Sequence, residues 1–136
     1  CPPEVLHMWL PDRSSRLLFR VVVNEIESWL LADTDGIAET LGVRTALIPK
    51  QVETLVNPKR TVVNLARNAR FRHIREALVP KQGSSASVGA GYNDVMGEFV
   101  LKRWNITAAR RNANSLERCL IRLADLNEQY FTTRTP

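Results

Sequence analysis

The chain has 136 residues, of which 44% are hydrophobic and 24% are charged, and it carries a formal net charge of +5 at pH 7. This length fits one domain or one large piece of a domain, and it argues against an enzyme with separate cofactor and substrate domains. The hydrophobic fraction excludes a disordered polyelectrolyte. No apolar run reaches the roughly 18 residues of a membrane span and no signal-peptide pattern is present, so the sequence predicts a soluble cytoplasmic protein.

The first part of the chain predicts a single buried strand. The chain begins at Cys1 without an initiator methionine, so we expect a processed protein or a part of a longer one. Residues 16–23, Arg-Leu-Leu-Phe-Arg-Val-Val-Val, are β-branched at their end and apolar on both faces. This pattern is typical of an interior strand of a sheet.

Two short helices are predicted directly after this strand. Asn24 with Glu27 three residues later is a capping-box pattern, and it begins a helix that runs to about Asp33. The turn sequence Asp33-Thr34-Asp35-Gly36 ends that helix and caps a second one over residues 37–41, which Gly42 ends. Asp-x-Asp pairs also hold Mg²⁺ in phosphoryl-transfer sites, but those pairs follow a strand. We therefore assign both aspartates to the turn and the helix cap.

The rest of the chain is predicted to be helical apart from one loop. Asn57-Pro58 is an N-cap followed by a first-turn proline, and it begins a helix that runs to about Asn68. The helical pattern resumes from Phe71 until Pro80 stops it. Residues 81–91, rich in glycine and serine, predict a flexible internal loop. Further helices are predicted over residues 92–104, 107–111 and from Asn114 onward. The predicted class is α-rich α/β, with one firm strand and five or six helices in a single domain or domain fragment.

Charge is distributed unevenly along this layout. Residues 24–43 contain five acids and no base, whereas residues 57–81 contain seven bases and one acid. Residues 102–122 add six bases and one acid. An acidic junction between the strand and the first helix is thus set against two basic helical blocks.

Glu25 and Glu27 are candidate metal ligands and catalytic residues. They come directly after the predicted strand, at the end of an open α/β sheet where sites usually lie. Carboxylate oxygens are ligands of hard divalent cations such as Mg²⁺. The alternative, which the sequence leaves open, is that both acids complement the helix dipole and that Glu27 closes the capping box.

The basic blocks are candidates for a nucleic-acid surface. Arginines that lie on one helix face with few acids between them can follow a phosphate backbone, although the same pattern is typical of solubilising residues. Arg60 and Arg67 lie seven residues apart and so share a face of their helix. The candidate binding residues in the two blocks are Arg60, Arg67, Arg110 and Arg111.

Residues 25–33 also carry a resemblance to a known family. They read Glu-Ile-Glu-Ser-Trp-Leu-Leu-Ala-Asp, which is similar to the Glu-x-Glu-x-Trp-x-x-x-Asp signature of an uncharacterised bacterial family, the domain of unknown function numbered forty-two seventy-six. The resemblance covers about residues 16–126. The further matching positions are Asn57-Pro58-Lys59, Gly91-Tyr92-Asn93, Phe99, Trp104, Ala108, Ser115-Leu116 and Arg118.

This resemblance implies the C-terminal part of a Toprim-like domain, with the family's earlier strands and their acids upstream of Cys1. In Toprim-like nucleases those acids bind the catalytic metal, so Glu25 and Glu27 would be late contributors to an Mg²⁺ site and Lys59 a phosphate contact. Relatives are often encoded near ATPases in what look like defence loci, which implies an ATPase partner and a role in defence.

Two functional hypotheses follow from different classes. The first is a metal-dependent nucleic-acid phosphodiesterase. The second is a non-catalytic helical module that binds nucleic acid or an ATPase partner through its basic helices.

Overall fold

The computed structural model describes residues 25–130 and Met8. Between residues 25 and 130 the regular structure consists of seven α-helices and two short 3₁₀ turns, Thr45–Leu47 and Val52–Thr54. The helices are α1 (Ile26–Ala32), α2 (Thr34–Leu41), α3 (Pro58–Arg67), α4 (Arg72–Leu78), α5 (Tyr92–Lys102), α6 (Ile106–Asn112) and α7 (Asn114–Tyr130).

The predicted α/β class is wrong, because no strand and no sheet occurs among residues 25–130. That class depended on the single apolar run at residues 16–23, which lies outside the described residues. A short apolar run does not by itself distinguish a strand from a buried helix segment. The run Leu30-Leu31-Ala32 illustrates this point, since it is buried and helical.

Three predicted helix-end features are confirmed, although α2 begins at Thr34 and not at the predicted residue 37. The Asp33 carboxylate accepts a hydrogen bond from the N–H of Gly36 at 3.2 Å and caps α2. Gly42 ends α2 with φ of 65°, in the left-handed region that glycine adopts without steric cost. Asn57 accepts from the N–H of Arg60 at 2.7 Å, with Pro58 in the first turn of α3.

The predicted capping box at the start of α1 is wrong. The helix begins at Ile26, and Glu25 occupies the N-cap position without a side-chain cap hydrogen bond. Asn24, the predicted cap, lies outside the described residues. In this register Glu27 is not the third helical residue that a capping box requires, and its carboxylate contacts Tyr92 instead.

Residues 25–113 belong to one compact unit, in which α1 is the central helix; α7 belongs to a second unit. Helix α1 packs against α2, α3, α6 and the turn Val52–Thr54. It is buried on several faces because of this position, and even two of its polar side chains are enclosed. The buried residues of α1 are Glu27, Ser28, Leu30, Leu31 and Ala32.

The connection between α4 and α5 is exposed over residues 81–87 and then returns to α4. The N–H of Gly89 donates to the carbonyl of Leu78 at 2.9 Å, and that of Gly91 donates to the carbonyl of Ala77 at 3.0 Å. A Cβ at position 89 would lie 2.2 Å from the Ala77 oxygen, so the close approach requires glycine. The flexibility predicted for residues 81–91 stays a prediction.

Candidate functional site

Glu25 caps α3 from another part of the chain. Its Oε2 accepts a hydrogen bond of 2.8 Å from the backbone N–H of Lys59, in the first turn of α3. The first amides of a helix have no partner within it, and a carboxylate at this end also complements the helix dipole. Glu25 therefore fixes the start of α3 against the start of α1.

Glu27 is a buried acid that holds the side chain of the same lysine. Its side chain is 6% exposed, and its Oε1 lies 3.4 Å from Lys59 Nζ. The hydroxyl of Tyr92 donates to the same oxygen at 3.2 Å. Burial raises the pKa of Tyr92 well above its usual range, and the charge of Glu27 raises it further. Tyr92 is therefore a neutral hydrogen-bond donor in the folded protein.

The two predicted metal ligands thus meet at Lys59, one at its backbone and one at its ammonium group. Within residues 25–130 no group of three His, Cys, Asp or Glu side chains is placed to hold a metal ion. The Oε1 atom of Glu27 is engaged by the Lys59 ammonium group and by the Tyr92 hydroxyl donor. The predicted Mg²⁺ role of Glu25 and Glu27 stays a prediction.

A cavity of about 550 Å³ lies beside α3, and we call it the α3 groove. One wall comes from the start of α1 and from α3 with its cap, and another comes from the connection that precedes α5. The groove brings the acid Glu25 together with three predicted binding residues, Lys59, Arg60 and Arg67. The other lining residues are Asn57, Val63, Asn64, Pro80, Ala86 and Ser87.

The amphipathic pattern of α3 explains why its polar side chains face this groove. Its buried face consists of Val62, Val63, Leu65 and Ala66, which pack within the unit. Arg60, Asn64 and Arg67 follow one another at intervals of four and three residues, so they lie along one face of the helix. All three are exposed.

The other two predicted binding residues lie elsewhere. Arg110 and Arg111 are in the last turn of α6, where Arg110 is half-buried and Arg111 is exposed. Neither residue lines the α3 groove. Their role in nucleic-acid binding stays a prediction, and the site described here does not depend on them.

The Asp-x-Asp pair is structural at its first position. Asp33 is 2% exposed, and its second carboxylate oxygen accepts from the backbone N–H of Asn105 at 2.8 Å. Asn105 in turn caps α6 through the N–H of Ala108 at 3.1 Å. A Cβ at Gly36 would lie 2.2 Å from the Asp33 carboxylate, so a larger residue there would shift this carboxylate away from its present position. The prediction that Asp33 caps a helix is confirmed, and Asp35 is exposed in the first turn of α2.

Several residues of the site were missed by the sequence reasoning. Tyr92 was noted only as a position of the family pattern, because its partner Glu27 is 65 residues away. Asn64 could have been predicted, since its spacing places it on the same helix face as Arg60 and Arg67. Ser87 could not have been predicted from composition, because the sequence around it does not indicate that its loop lies beside α3.

Comparisons of the chain with protein-family models, with curated proteins and with solved structures give no match. The resemblance to a Toprim-like family and the ATPase partner that it implies therefore stay predictions from the quoted residues. Among the helices described, none combines the length and the apolar character that crossing a bilayer requires.

Proposed function

We propose that the α3 groove binds the phosphate backbone of a nucleic acid. The observation that carries this proposal is that Lys59, Arg60 and Arg67 line one cavity. Among the described residues that line this cavity Glu25 is the single acid, and it already accepts a hydrogen bond from the Lys59 amide. The surplus of positive charge therefore faces the groove, where a polyanion releases counterions on binding.

The side chains of the groove suit phosphate oxygens. Guanidinium groups donate two parallel hydrogen bonds to a phosphate, and Arg60 and Arg67 are both exposed. Asn64 and Ser87 supply further neutral donors of the kind that position a nucleic-acid backbone. Lys59 is 42% exposed on its side chain despite its contact with Glu27, so its ammonium retains donors for a ligand.

The double substitution Arg60→Ala/Arg67→Ala is expected to weaken binding of a single-stranded oligonucleotide about 30-fold, because it removes two solvent-exposed ionic contacts of about 1 kcal/mol each. Fluorescence anisotropy at constant salt measures the change. The control is Arg44→Ala/Lys50→Ala, which removes the same charge from exposed positions outside the groove. Equal weakening by both pairs would show that only net charge matters, and it would contradict the proposal.

Phosphodiester hydrolysis is a second candidate, supported by the position of Glu25 in the same groove as the bases. If it is correct, the protein cleaves nucleic acid with Mg²⁺ or Mn²⁺, and Glu25→Gln lowers the rate by about 100-fold. Glutamine retains an oxygen for the Lys59 amide, so the cap of α3 is kept. Cleavage that is unchanged in Glu25→Gln, with oligonucleotide binding intact, would rule out this role of the carboxylate.

A further inference from the structure

A second cavity adjoins the α3 groove. It has a volume of about 820 Å³ and is lined by Arg67, Arg75, Glu76, Val79 and Lys81. Arg67 lines both cavities. Pro80 lines the α3 groove, whereas its neighbours on either side line the second cavity. The two cavities are therefore adjacent, and they meet at Arg67 and at the segment 79–81.

The second cavity continues the positive charge of the first. Arg75 and Lys81 add two bases. Glu76, the one acid among the described residues that line it, forms a hydrogen-bonded ion pair of 2.7 Å with Arg72, which is not among those lining residues. The guanidinium of Arg75 donates to the carbonyl of Ala69, which orients it. Five bases thus follow one path, from Lys59 and Arg60 through Arg67 to Arg75 and Lys81.

We infer that one single-stranded oligonucleotide occupies both cavities and crosses between them at Arg67. This inference rests on the proposed function and names its ligand. Lys59 and Arg67 are separated by eight residues of helix, or about 12 Å along its axis. At about 3.4 Å per nucleotide of a stacked strand, this distance corresponds to three or four nucleotides, and the second cavity adds to it. A mononucleotide or a free phosphate would fill only one of the two cavities.

The shape and lining of the cavities favour one strand over a duplex. The connection before α5 forms a wall against α3, through Pro80, Ala86 and Ser87. Each cavity has the volume of a site for a small molecule, about 300–1,000 Å³, which accommodates nucleotides of one strand. The described residues that line the two cavities include no aromatic ring. Binding through the backbone alone has little sequence preference.

The test compares oligothymidylates of about 4 and about 12 nucleotides, which bracket common single-strand site sizes. Lys81 is exposed, so Lys81→Glu changes the second cavity without disturbing the core. Lys81→Glu is expected to weaken binding of the longer strand about 10-fold and that of the shorter strand less than about 2-fold, since about four nucleotides are already used to span the distance from Lys59 to Arg67. Arg60→Ala is expected to weaken both. Lys50→Glu, an exposed charge reversal outside both cavities, is the control.

The outcomes separate the inference from the proposed function. If Lys81→Glu affects both lengths equally, or neither, while Arg60→Ala weakens both, the continuous path is wrong and binding in the α3 groove stands. If a duplex of the longer length binds as tightly as the single strand, the assignment to single strands is wrong. If neither length binds the unmodified protein, the proposed function itself fails.

Discussion

Replacement of Asp33 by alanine is expected to lower the free energy of unfolding by about 3 kcal/mol, because two backbone amides lose a buried, charged acceptor. The Asp33 carboxylate accepts from Gly36 at the start of α2 and from Asn105 just before α6. It is 2% exposed, so water does not readily replace it. Urea unfolding followed by tryptophan fluorescence measures the loss.

Asp35→Ala is the matched control for this substitution. Asp35 is the second acid of the same Asp-x-Asp pair, but it is exposed in the first turn of α2. Its removal is expected to cost about 0.5 kcal/mol, through the helix dipole alone. Equal destabilisation by the two substitutions would mean that Asp33 does not have the structural role that its hydrogen bonds indicate.

Replacement of Glu27 is also expected to lower the free energy of unfolding strongly, by an amount that depends on the new residue. Glu27→Ala is expected to destabilise the protein by about 3 kcal/mol, because it leaves the buried Tyr92 hydroxyl without its acceptor and opens a space beside α1. Glu27→Gln retains an oxygen for Tyr92 and loses only the ion pair with the partly exposed Lys59, so about 1 kcal/mol is expected. Chemical denaturation of the two variants provides the comparison.

A double-mutant cycle with Tyr92→Phe isolates the hydrogen bond between Glu27 and Tyr92. The coupling between Tyr92→Phe and Glu27→Ala is expected to be about 1 kcal/mol, as is usual for residues in direct contact. Additive effects of the two substitutions would show that the 3.2 Å contact contributes nothing to stability. Glu27→Ala and Glu27→Gln variants of equal stability would contradict the assigned role of the carboxylate oxygen.

The sequence predicted helices well where local chemistry determines them. The caps at Asp33 and Asn57 and the left-handed end at Gly42 are each specified within a few residues of the helix they bound. The prediction of an α/β class was wrong because it depended on one apolar run, and a run of this composition is compatible with either a strand or a helix segment. The prediction of a capping box at the start of α1 was wrong because the contacts of Glu27 come from distant residues, Lys59 and Tyr92.

The candidate site was likewise predictable only where residues close together in sequence determine it. Arg60 and Arg67 share a helix face, as their seven-residue spacing predicts, and the structure adds that they line one groove with Glu25. The hydrogen bond between Glu25 and Lys59 could not be predicted from their separation along the chain, because it depends on the packing of α1 against α3. Packing also places Ser87 in the groove, so the second wall of the site was not predictable from composition.

The salt dependence of oligonucleotide binding tests the central claim most directly. For single strands, the slope of log K against log salt concentration changes by about 0.7 for each phosphate contact. The unmodified protein is expected to show a steep slope, and Arg60→Ala/Arg67→Ala a slope smaller by about 1.4, since two contacts are lost. The control Arg44→Ala/Lys50→Ala is expected to keep the original slope. Binding that is independent of salt, or a slope that is the same with and without Arg60 and Arg67, would contradict phosphate binding in the α3 groove.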